Sequence, residues 1–163
     1  MYRKILVPLD GSPLGEAALE HAARVARAFG SKLILLRVAT SVPIAAADPM
    51  IATGAEVAIT LESMDAAEDD AEEYLGQLSG YPILEGLIVS TTVLRGAPAE
   101  EIVRYAQAEQ VDMIAMSTHG RSGLGRLVFG SVADEVLRRA GVPILLVRPL
   151  PGHEKGEPQE GGL

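Results

Sequence analysis

Apolar positions along the chain follow two alternating patterns. Five runs of strand length, KILVPL (4–9), KLILLRV (32–38), LIVSTTV (87–93), VDMIAM (111–116) and PILLV (143–147), are nearly continuous in apolar residues. Strands buried on both faces of a parallel sheet read in this way. Between the runs the apolar spacing changes to three and four. Leu14, Ala18, Ala22, Val25 and Phe29 mark a first helix, with Glu20 and Arg24 paired at i,i+4 outside and Gly30 closing it. Val57, Leu61, Met64, Ala71, Leu75 and Leu78 mark a longer second helix, whose other faces carry Glu68, Asp69, Asp70, Glu72 and Glu73. Ile102, Val103 and Ala106 follow a helix start at Pro98, and Val132, Val136 and Leu137 begin a fourth helix from Ser131.

The succession βαβαβαβαβ predicts an α/β fold: an open, mostly parallel five-stranded sheet with helices on both faces and right-handed crossovers. Strand order is not contained in periodicity. Wherever it reverses, a ligand is expected beyond the carboxyl ends of the strands, which directs attention to the loops after Leu9, Val38 and Met116. The segment ATSVPIAAADPMIATGA (39–55) is long for a βα connection, a length typical of lids and binding elements. The closing stretch RPLPGHEKGEPQEGGL is rich in Pro, Gly and charge. It divides the chain into one folded domain, 1–149, and a disordered tail, 150–163.

Composition narrows the class. With 48% apolar residues, two Phe and no Trp, the core is built from Ala, Val, Leu and Ile. The absence of cysteine excludes disulfides and thiolate metal sites and fits a reducing, cytoplasmic setting. No run approaches membrane-spanning length, and MYRKILVPLD lacks the apolar stretch of a signal peptide.

The net charge of −8 argues against nucleic acid as a partner. Its distribution is uneven: Val38 through Leu94 holds ten carboxylates and no Lys or Arg, whereas Met113 through Ala133 holds Arg121 and Arg126 and no carboxylate. A small anion is therefore favoured in one place on a protein that repels polyanions.

That place is STHGRSGLGRLVFGSV (117–132), where Gly120, Gly123, Gly125 and Gly130 separate a strand from a helix. Glycines let a backbone approach a ligand closely, and a helix start offers N–H groups and a positive dipole end, a combination suited to phosphate. Two nucleotide fingerprints fail nearby. GRLVFGS has Ser131 where GxxxxGK[ST] needs lysine, and GLGRLV lacks the third glycine of GxGxxG. The competing reading makes Ser131 a helix N-cap and the glycines a flexible loop.

In VPLDGS (7–12), Asp10 and Ser12 serve as turn and cap residues with Pro13 at the first helical position. Facing a nucleotide, Asp10 would instead accept a ribose hydroxyl or hold a metal-bound water. His21 reads as a surface residue. His119 adjoins the glycines but has no nucleophile or carboxylate partner in view, and the acidic residues 69–73 lack the spacing of a calcium loop.

Together, VPLDGS, LLRV and MSTHGRSGLGRLVFGSVADEVLRRAGVPILLVRP resemble the universal stress protein family, in the right order and across residues 1 to 149. The resemblance implies an adenine nucleotide alpha hydrolase-like sheet of order 3-2-1-4-5, switching between the first and fourth strands. ATP-binding members of the family carry G-x2-G-x9-G-[ST]; here Gly120, Gly130 and Ser131 match, and Ser117 stands at the first glycine. By resemblance, Pro8 and Asp10 flank the nucleoside, Val38 lines the adenine pocket and Met116 packs near base or ribose. Gly120, Arg121, Gly130, Ser131 and Val132 surround the phosphates.

The implied ligand is ATP, with AMP or ADP as alternatives, and a divalent ion such as Mg2+ bridging the phosphates. Amides at 130–132 and the Ser131 hydroxyl would replace the missing lysine. With no positioned base, slow or negligible hydrolysis is expected. A slow ATPase and a protein-interaction domain using the acidic second helix are the alternatives. The family also implies a homodimer through the Pro143–Val147 strand, which would otherwise leave an apolar sheet edge open.

Overall fold

The computed structural model describes residues 1–40, 54–118 and 130–148. β1 (Lys4–Leu9), α1 (Pro13–Phe29), β2 (Lys32–Ala39) and α2 (Gly54–Ser79) come first, followed by a single 3-10 turn at Pro82–Leu84. β3 (Val89–Arg95), α3 (Pro98–Ala108), β4 (Met113–Ser117), α4 (Ser131–Arg139) and β5 (Ile144–Val147) complete the domain. The strands form one sheet in the order β3-β2-β1-β4-β5, every neighbouring pair parallel. The order reverses between β1 and β4.

Side chains alternate across the sheet because successive residues of a strand point to opposite faces. Ile5, Val7, Leu9, Leu33, Leu35, Met113 and Ala115 pack with α1 and the Leu75 and Leu78 side of α2. Leu6, Ile34, Leu36, Ile114 and Met116 pack with Ile102, Val103 and Ala106 of α3 and Ala133 and Val136 of α4. Continuous apolar runs are needed because both faces are covered. The outer strand β3 is only half-buried, which is why its run is broken by Ser90, Thr91 and Thr92.

The helices begin and end on the expected signals, with local differences. Ser12 caps α1 by accepting from Gly15 N–H at 3.0 Å, Pro13 takes the first helical position, and Gly30 closes the helix in the left-handed region (φ 66°). β3 starts two residues later than the apolar run suggests, because Leu87 N–H turns back to Leu84 O after the 3-10 turn. Leu137, expected on the apolar side of α4, is 44% exposed, as Phe29 is at the end of α1 (45%). His21 is exposed on α1, and Glu20 pairs with Arg24. In α2, Ala71, Leu75 and Leu78 are fully buried. Val57 and Leu61 lie outside the residues whose side chains are described. Among the described residues, no helix is long and apolar enough to cross a membrane.

A cleft at the strand-order reversal

A cleft of about 430 Å³ opens over the carboxyl ends of β1, β2 and β4, within the size range of small-molecule sites. Because it straddles the sheet edge, it draws residues from both layers. Pro8 and Asp10 come from the end of β1, Val38 from β2, Met116 and Ser117 from β4, and Gly130, Ser131 and Val132 from the start of α4. These positions, far apart in the chain, are brought to one place by the parallel topology. Gly120, Arg121 and His119 lie outside the described residues, as do most of the long connection after β2 and the tail from 150.

The β1 side of the cleft is a turn that bonds to itself. Asp10 Oδ1 accepts from Ser12 N–H at 3.0 Å and from Ser12 Oγ at 2.6 Å, while Ser12 Oγ accepts from Gly15 N–H at 3.0 Å. The turn role read from VPLDGS and a place on the cleft wall therefore coexist in Asp10, while the capping role falls to Ser12. Two glycines are required here. Gly11 has φ +82°, and a Cβ on Gly15 would come within 2.4 Å of Asp10 Oδ1.

The α4 side is built differently. The chain leaves β4 at Thr118, whose N–H donates to Val147 O at 2.9 Å, and re-enters at Gly130, whose N–H donates to Thr118 O at 2.9 Å. That tie holds Gly130 at φ −54°, ψ 148°, making Gly130 the N-cap and Ser131 the first helical residue. Ser131 is thus not the cap, and Gly130 N–H is not among the donors turned to a ligand. The first helical bond runs from Asp134 N–H to Gly130 O at 3.0 Å, so the amides of 131–133 precede the intrahelical ladder and have no partner within it. Gly130 has an ordinary backbone conformation. Among the described residues, a Cβ there would meet only Thr118 O, at 3.5 Å, an ordinary contact.

Arg37, Asp70, Thr118 and Ala133 also line the cleft and escaped the sequence reading. Arg37 carried a signal: it is a charge near the end of a strand that is otherwise apolar after Lys32. Its guanidinium stands 4.8 Å from the centre of the Tyr74 ring, a cation–π arrangement. Tyr74 donates to Glu16 Oε1 at 3.1 Å. Burial first, then the Glu16 carboxylate and Asp10, push the Tyr74 hydroxyl far above its ordinary pKa, against the opposing pull of Arg37. The phenol therefore stays protonated and continues to donate to Glu16. Among the described residues, no three His, Asp or Glu side chains converge as a metal site.

An open parallel α/β sheet with a crevice at its strand-order reversal defines a class of ligand-binding domains. The chain belongs to the universal stress protein family: the model of that family matches residues 1–148. Universal stress protein MJ0531 of Methanocaldococcus jannaschii is 32% identical over 148 residues, covering 91% of this chain and 83% of the relative. Among solved structures, universal stress protein UspA from Lactobacillus plantarum superposes with TM-score 0.77 at 25% identity, covering 90% of this chain and 98% of its own. Protein MJ0577 superposes with TM-score 0.71 at 30% identity, covering 93% and 99%; the curated relative of that name is from M. jannaschii.

Proposed function

We propose that the chain is an ATP-binding universal stress protein, a nucleotide-dependent regulatory module with slow or no hydrolysis. The observation that carries this reading is the asymmetry of the cleft. One side presents the Asp10 carboxylate from a rigid turn, and the other presents the first turn of α4 behind a glycine whose smallness no described neighbour requires. Acceptors at one end suit a nucleoside's hydroxyl and amino groups. Helix-start amides and Ser131 at the other suit phosphate. Two proteins of this fold have adenine nucleotides in their solved structures, a universal stress protein in complex with cAMP and an Arabidopsis thaliana family protein with AMP bound. At 22% and 17% identity they speak for the fold, and the case for this chain rests on its own residues.

In this reading Pro8, Asp10 and Val38 hold the nucleoside, Met116 and Ser117 line the middle, and Ser131 and Val132 meet the phosphates with Gly120 and Arg121. Since no described carboxylate set holds a metal, Mg2+ would arrive with the phosphates and keep most of its water ligands. β5 is an outer strand of the sheet, and we propose that a second copy pairs with it to form a cytoplasmic homodimer. Protein purified from cells and denatured should release adenine nucleotide identifiable by mass. Release of none, together with failure to bind ATP, ADP or AMP at millimolar concentration, would overturn the reading. The mass in solution should be that of two chains; a monomer would contradict the pairing.

A further inference from the structure

Arg37 belongs to neither the nucleoside end nor the phosphate end of the cleft, yet it touches the parts that shape one of them. Odd-numbered residues of β2 face α1 and α2, so Arg37 follows Leu33 and Leu35 onto that side while Val38 turns to the other. There its guanidinium lies over the Tyr74 ring and its Nη1 donates to Asp70 O at 3.5 Å, both on α2. The same guanidinium packs on Gly11, where an added Cβ would lie 3.1 Å from Nη2. Gly11 sits between Asp10 and Ser12, whose mutual hydrogen bonds fix the turn. One planar cation is thus wedged between α2 and the turn that carries Asp10, and Tyr74 is itself anchored through Glu16 to the first turn of α1.

We propose that Arg37 is a positioning residue for nucleoside recognition: it fixes the Asp10 turn against α2 so that the Asp10 carboxylate meets a ribose hydroxyl. The inference rests on the nucleotide-binding reading above and adds the element that sets selectivity at the nucleoside end. Selectivity at the phosphate end comes from α4 and does not pass through Arg37. A planar group is needed, because the guanidinium reaches the Tyr74 ring, Asp70 O and Gly11 at once, a set of contacts that a single ammonium does not span.

The test is calorimetric titration of the full chain with ATP, 2′-deoxy-ATP, 3′-deoxy-ATP and AMP, alongside thermal midpoints. The wild type should prefer ATP over at least one deoxy analogue by about tenfold, the loss expected for a hydrogen bond to a charged group. Arg37→Met should shrink that preference to less than about threefold while leaving the ATP-to-AMP ratio unchanged. Arg37→Lys, which keeps stem and charge, should shrink it as well and decides the matter if the methionine variant does not fold. Unaltered ribose preference in the folded variants overturns the inference, as does a wild type that binds ATP without ribose preference. Both of these results leave nucleotide binding itself standing. A wild type that binds no nucleotide defeats the underlying reading instead.

Discussion

The two sides of the cleft use glycine for opposite reasons. In the β1–α1 turn, Gly11 and Gly15 are demanded by the protein itself: one by a left-handed backbone, the other because Asp10 Oδ1 occupies the space a Cβ would fill. At the start of α4, Gly130 has a backbone that any residue adopts and room for a methyl group among its described neighbours. The first side is closed by its own hydrogen bonds, so its glycines serve stability. The second leaves its small residue facing the cleft, where under the proposed function that smallness serves the ligand.

Alanine substitutions separate the two cases. Gly15→Ala should have the largest effect, about 2–3 kcal/mol of stability by chemical denaturation, because the carboxylate it strikes is held by two bonds from Ser12. Gly11→Ala should cost about 2 kcal/mol from its positive φ and its contact with Arg37. Ser12→Ala, which removes the cap of α1, should cost about 1 kcal/mol. Gly130→Ala should cost less than about 1 kcal/mol, the difference between glycine and alanine at an N-cap. A Gly130→Ala loss as large as that of Gly15→Ala would erase the contrast and make both glycines structural.

Much of this architecture was legible in the residues. The strand runs and the helix signals at Pro13, Gly30 and Pro98 are local, and the structure follows them. Strand order was not legible from periodicity, because nothing in an apolar run names its neighbour; it entered through the family resemblance and is the order observed. The fold class pointed to the loops after Leu9, Val38 and Met116, the family resemblance named Pro8, Asp10, Val38 and Met116 themselves, and one cleft gathers them.

What stayed hidden depends on contacts distant in sequence. Arg37 reads as a strand residue until α2 brings Tyr74 and Asp70 across it. The cap of α4 falls on Gly130 and not Ser131 because Thr118, across the glycine-rich stretch, accepts the Gly130 amide. That same bond removes one of the amide donors the sequence suggested and shifts the proposed phosphate contacts to the residues after it.

The most direct test compares ATP binding by the wild type and Gly130→Val, with thermal stability measured on the same samples. A side chain at this position should weaken ATP binding on the order of a hundredfold, through loss of two charge-assisted contacts, while the variant stays folded with a midpoint lowered by only a few degrees. Equal ATP affinity in a folded Gly130→Val would show that the start of α4 does not hold the nucleotide's phosphates.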